Sequence, residues 1–181
     1  MHGRLGYLCA SNRTAALLRK TMSQAQEDLA TRLSQYLSGA WGKDVVHEHI
    51  EQIPGGASRE TYRIRLSIEG EQRGVILRRD PPSSLIDTER ALEYRTYEAA
   101  WHAGIPVPEP LLLEEDGAVL ERPFSLMAEV TGCESAIANL ALPEYQSVSQ
   151  QIAEKKWTLL GELAARDIEA LGVTEFMEIP T

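Results

Sequence analysis

The sequence predicts an α+β domain built on a five-stranded antiparallel sheet, and three observations predict it. Thr61–Ile68 places Tyr62, Ile64, Leu66 and Ile68 on one face and Thr61, Arg63, Arg65 and Ser67 on the other. That period of two, in β-branched and aromatic residues, belongs to a half-buried strand. Short runs of this kind are separated by turn signals at Pro54-Gly55-Gly56-Ala57-Ser58, Glu69-Gly70 and Asp116-Gly117. A capped helical stretch stands between the third and fourth runs.

Taken in order, residues 1–21 match nothing around them in composition and read as an irregular extension, with Met22 as an alternative start. A first helix is expected from about Gln24 to Trp41. Ser23 is placed to cap it, with Gln26 at the capping-box position, and Leu29, Leu33, Tyr36, Leu37 and Ala40 form its apolar stripe. Strands follow over Val45–Ile53, Thr61–Ile68 and around Val75-Ile76-Leu77, the last ending on Arg78-Arg79. His47 and His49 stand two apart, so a regular strand puts them on one face. No Cys, Asp or third His at a useful spacing completes a metal site, and a polar strand face is the reading. A second helix is expected from Thr88 to His102, capped by Asp87 and stopped by Gly104, Pro106 and Pro108. Leu111–Glu115 and Phe124–Val130 are the remaining strands, and Gly132 releases the chain. One long helix is expected from Ser147 to Ala170.

Composition bounds the function. The 181 residues hold one domain or slightly more, and 43% apolar content supports a core. A net charge of -9 argues against a broad nucleic-acid or anionic-membrane surface. Two cysteines, Cys9 and Cys133, form neither a disulfide framework nor a metal spacing, so a reducing cytoplasm is expected. No apolar run reaches the roughly 18 residues that span a membrane.

The stretch from Ile53 to Arg79 is the most informative. A glycine-rich turn over a sheet, with a cation on a following strand, suits a nucleotide phosphate tail. Small residues let backbone N–H groups approach the phosphates, and the cation offsets their charge. A double-glycine hairpin turn also arises for structural reasons alone.

The stretches GGASRETYRI, VILRRDPP, ALEYRTYEAAWHAGIPVPEP, DGAVLERPFSLMAEVTG and IEALGV occur in the order and spacing of the aminoglycoside phosphotransferase family. From Ile53 to Val173 the chain resembles the amino-terminal part of that family. It is most similar to the branch related to the kinase-like domain attached to some acyl-CoA dehydrogenases.

The resemblance implies a protein-kinase-like small lobe over residues 22–132. Residues 133–181 then form a linker and the first helix of an incomplete large lobe. It implies ATP as phosphate donor and an unidentified small-molecule hydroxyl as acceptor, with Mg²⁺ needed in a complete family member. Gly55, Gly56 and Ser58 fall in the loop over the phosphates. Arg78 falls where most kinases carry a lysine holding the α- and β-phosphates. Arg79, one residue on, faces the other way. Glu93 falls at the helix glutamate that pairs with that cation. Met127 falls at the back of the adenine pocket, with the Ala128 carbonyl and Val130 N–H on the adenine edge and Glu129 between them.

The family's H-G-D-x-x-x-x-N loop and later D-W or D-x-D segment do not occur in these residues. Arg166-Asp167-Ile168 is the nearest mimic, but it reads as helix and Gly172 stands where Asn belongs. The histidine of the family's L-H-x-x-D motif is replaced by Ala164. The resemblance therefore implies the nucleotide-binding half of a kinase, inactive alone, as a truncated product, a fragment or one piece of a split chain. A non-catalytic nucleotide-binding or partner-docking module, with association through the last helix, is the alternative.

Overall fold

The structure, a computed structural model, describes residues 12–54, 59–80, 90–132 and 141–177, with backbone only over 12–22. Its elements are α1 (Asn12–Trp41), β1 (Val45–Ile53), β2 (Glu60–Ile68), β3 (Glu71–Arg79), α2 (Arg90–His102), β4 (Pro110–Glu114), β5 (Phe124–Ala128), α3 (Pro143–Gln146) and α4 (Ser149–Ala164). A single 3-10 turn, Val173–Glu175, follows. The expected five-stranded antiparallel sheet is present, in the order β1-β2-β3-β5-β4. Glu69 and Gly70, with φ of 52° and 88°, make the two-residue connection between β2 and β3. Positive φ at both positions is what a hairpin of matching twist demands.

Alternation gives each sheet face its own helix. Tyr62, Ile64 and Leu66 of β2, Val75 and Leu77 of β3 and Phe124 and Leu126 of β5 join Leu29, Leu33 and Leu37 of α1 in one buried cluster. The opposite face carries Thr61, Arg78 and Ser125 in register across three strands, and α2 lies there against β4 and β5.

Four sequence expectations are corrected. Helix α1 begins at Asn12, not near Gln24, so residues 12–21 are helical rather than an irregular extension, and Ser23 is interior rather than a cap. Thr14-Ala15-Ala16-Leu17-Leu18-Arg19-Lys20 contains neither Gly nor Pro and is dominated by strong helix formers, which lets the helix propagate. His47 and His49 do not share a face. A bulge at Glu48 sets His47 opposite Leu66 and His49 opposite Arg65, on opposite sides of the sheet. The strand expected over Phe124–Val130 ends at Ala128.

The helix expected over 147–170 is α4, which starts at Ser149, after the separate short α3, and ends already at Ala164. The Asp167 carboxylate accepts the Glu169 N–H at 3.0 Å. That local bond competes with helix continuation. Asp167 thus sits in a turn, not in a helix as expected. The Asp87 cap lies outside the described residues.

On the α1 face, the Tyr36 hydroxyl donates to Glu114 and its ring meets Phe124 edge-on at 6.2 Å. The bond to Glu114, then burial, push the Tyr36 pKa up from 10.0 to about 12. A raised folded-state pKa means stability fully present below pH 10 and lost as pH climbs from there through 12. Burial also raises Tyr62 and Tyr94, so spectrophotometric titration is expected to show a late-ionising group of tyrosines, and Tyr36→Phe to remove the step near pH 12. The same variant should cost about 1 kcal/mol in urea denaturation.

Candidate functional site

The alternation that sends Val75 and Leu77 into the core sends Ile76 and Arg78 to the α2 face. Glu93, in the first turn of α2, faces the same way. The expected approach of these two is present: Arg78 Nη1 donates to Glu93 Oε1. Arg79 points to the α1 face, where Nη2 and Nε reach Glu60 Oε2 at 2.6 and 2.9 Å and Nη1 reaches the Leu120 carbonyl at 3.2 Å. It is spent on the fold.

Two further arginines join the pair. Arg59 immediately precedes β2 and gives Nη1 to the other oxygen of Glu93, Oε2. Arg90 donates through Nη1 to the Arg78 carbonyl at 3.2 Å and pairs through Nη2 with Asp80, whose Oδ1 lies 3.8 Å from Arg59 Nε. The side chains of Arg59 and Arg90 are each 6% exposed, whereas that of Arg78 is 27% exposed. Burial, with Arg78 and Arg90 close by, lowers the Arg59 pKa. Arg59 was not read as a site residue from sequence. It directly follows the glycine-rich turn, and that adjacency was the one available signal.

At the other end of the sheet, Met127 is buried opposite Ile76 on the Arg78 face. The Ala128 N–H donates to the Glu109 carbonyl at 2.8 Å and the Glu129 N–H to the Gly74 carbonyl at 3.0 Å. The next N–H, that of Val130, has no partner among the described residues, and Val130 is 53% exposed. Glu129 folds back over β3 to reach Arg63 Nε on β2 at 2.7 Å. A Cβ at Gly74 would lie 2.2 Å from Glu129 Oε2 and 3.1 Å from its Cβ, so this crossing needs a residue without a side chain. Gly55, Gly56 and Ser58 lie outside the described residues.

The face therefore offers a cationic group at one end and free backbone at the other, which is chemistry a polyphosphate with a planar base can use. It offers Mg²⁺ little. Glu93 and Asp80 are committed to arginines, and no group of three or more His, Cys, Asp or Glu side chains suited to a metal occurs among the described residues. No helix among the described residues is long and apolar enough to cross a membrane.

Comparison with known proteins adds the family. The profile described as "APH: Phosphotransferase enzyme family" matches residues 49–179. The chain belongs to the phosphotransferase enzyme family. Among curated relatives, acyl-CoA dehydrogenase family member 10 of Mus musculus is 35% identical over 118 residues, which is 64% of this chain and 10% of that protein. Acyl-CoA dehydrogenase family member 11 of Homo sapiens is 29% identical over 108 residues, 59% of this chain and 13% of that protein. The chain thus spans about a tenth of the length of these curated relatives. A solved structure from Ralstonia eutropha JMP134, classed as an aminoglycoside phosphotransferase, is 26% identical with a TM-score of 0.44, covering 57% of this chain and 28% of that one.

Proposed function

We propose that this chain is the ATP-binding part of a phosphotransferase that moves the ATP γ-phosphate to a hydroxyl of a small molecule. The observation that carries the reading is the Arg78–Glu93 ion pair, formed on the sheet face where a nucleotide would lie. Arg78 would hold the α- and β-phosphates, with its planar fork suited to paired oxygens. Glu93 would hold Arg78. The backbone of Gly55, Gly56 and Ser58 would close over the phosphates. Met127 would back the adenine, and the Ala128 carbonyl and Val130 N–H would meet its edge beside Glu129. The Val130 N–H, unpartnered among the described residues, supports that assignment. A cytoplasmic compartment is part of the same proposal.

Phosphoryl transfer also needs an aspartate to orient the acceptor hydroxyl and ligands for Mg²⁺. These residues contain no H-G-D-x-x-x-x-N loop to supply them. The 181-residue chain should therefore bind ATP without transferring phosphate, since positioning and charge neutralisation carry nearly all of that chemistry. With one wall of the cleft contributing, ATP should bind with a Kd of roughly 1 mM, about -4 kcal/mol. NMR titration is expected to move backbone signals around Gly56 and Val130, while ATP hydrolysis stays at background. Silence at saturating ATP would leave the Arg78–Glu93 pair a purely structural contact.

One observation favours the docking alternative as an added role. Ile152, Trp157, Leu160 and Leu163 of α4 are 43%, 67%, 44% and 44% exposed. With Ile105 and Pro106, this helix lines an apolar groove of about 470 Å³. Apolar surface gathered in this way drives association. Sedimentation velocity should show a mass that grows with protein concentration; a single monomer boundary at every concentration would oppose it.

A further inference from the structure

We propose that Arg59 is a positioning residue of an oxyanion subsite, holding Glu93 so that Arg78 stays aimed at a bound phosphate. Glu93 is shared: Oε2 faces Arg59 and Oε1 faces Arg78. A carboxylate gripped at both oxygens cannot rotate, so the guanidinium of Arg78 inherits a fixed direction. Arg59 itself is too buried to meet a ligand broadly, with 6% of its side chain exposed, whereas Arg78 at 27% has a face open. The roles divide accordingly.

Charge and hydrogen bonding point to an anion as the missing partner. Among the described residues, Arg59, Arg78 and Arg90 pair only with Glu93 and Asp80, so three cations meet two carboxylates there. Arg59 Nε and Arg90 Nε are buried without a hydrogen-bond acceptor among the described residues, while Arg90 Nη2 pairs with Asp80. Buried cations short of counter-charge are costly, and an oxyanion at the open face of Arg78 supplies that charge.

This inference rests on the phosphate half of the function proposed above and is independent of the adenine half. The test is titration of the full chain with inorganic pyrophosphate and, separately, with adenosine. The wild-type protein, Arg59→Met and Arg59→Lys are compared by calorimetry, with arginine Nε–H signals followed by NMR in the wild type. Pyrophosphate is expected to shift the Arg59 and Arg78 Nε–H signals of the wild type. Its affinity should fall about tenfold or more in Arg59→Met and recover in part in Arg59→Lys, as loss of a charge-assisted contact predicts. Adenosine affinity should be the same in all three. Undiminished pyrophosphate binding by Arg59→Met would overturn the proposal. So would unmoved Arg59 and Arg78 signals at saturating pyrophosphate, and this arm decides even if the methionine variant does not fold. A pyrophosphate response without any adenosine binding would instead defeat the nucleotide reading and leave the oxyanion subsite standing.

Discussion

Replacing Glu93 with alanine is expected to destabilise the domain by about 3 kcal/mol, the low end of the range for breaking a buried ion pair. Two guanidinium groups end on this carboxylate, and the Arg59 side chain is 6% exposed. Without Glu93 its nearest counter-charge is Asp80 at 3.8 Å, which already holds Arg90. The estimate stays low because the Glu93 side chain is 30% exposed, so water enters on the Arg78 side. Glu93→Gln keeps the shape and one acceptor and should recover part of the loss. Urea denaturation of the three proteins measures both steps. A change below about 1 kcal/mol for the alanine variant would mean that the pair behaves as an exposed one and does not lock α2 to the sheet.

Leu33→Ala should cost a similar amount, about 3 kcal/mol, by a different route. Leu33 is fully buried between α1 and the sheet, in the same cluster as Leu37, Ile64 and Leu77. Truncation removes transfer energy and leaves a cavity that a β-sheet cannot collapse to fill. Trp157→Ala is the matched control: a larger side chain, but 67% exposed on α4. It should move stability by no more than about 0.5 kcal/mol. If the two substitutions cost the same, α1 is not part of the cooperative unit.

The sheet was legible in sequence because β2, Glu60–Ile68, has one wet and one dry face and turn signals separate the other apolar runs, although β5 is buried on both faces. The Arg78–Glu93 pair was reached through the family resemblance, with strand alternation separating Arg78 from Arg79. What was missed has three separate causes. The Glu48 bulge inserts a residue without disturbing composition, so the two histidines looked paired when they are on opposite faces. The apolar spacing of α4 continues past Ala164, yet the helix stops, because helix length depends on packing and on local competitors such as Asp167 as much as on periodicity. Arg59 is illegible for a third reason. Its role depends on Glu93, 34 residues away, and on a charge count that exists only once the chain is folded.

The crossing of Glu129 over Gly74 ties together two positions far apart in the chain. An alanine at 74 would push the Glu129 carboxylate off Arg63, whose side chain is 47% exposed, so the fold should lose little. What must give way is the Glu129 side chain, just before Val130. Positions 74 and 129 therefore form one alphabet rather than two. In a library randomised at both, a side chain at 74 should be recovered mainly beside a short residue at 129, and Glu129 mainly beside glycine. A survey of either site alone would report tolerance where the pair has a strict rule.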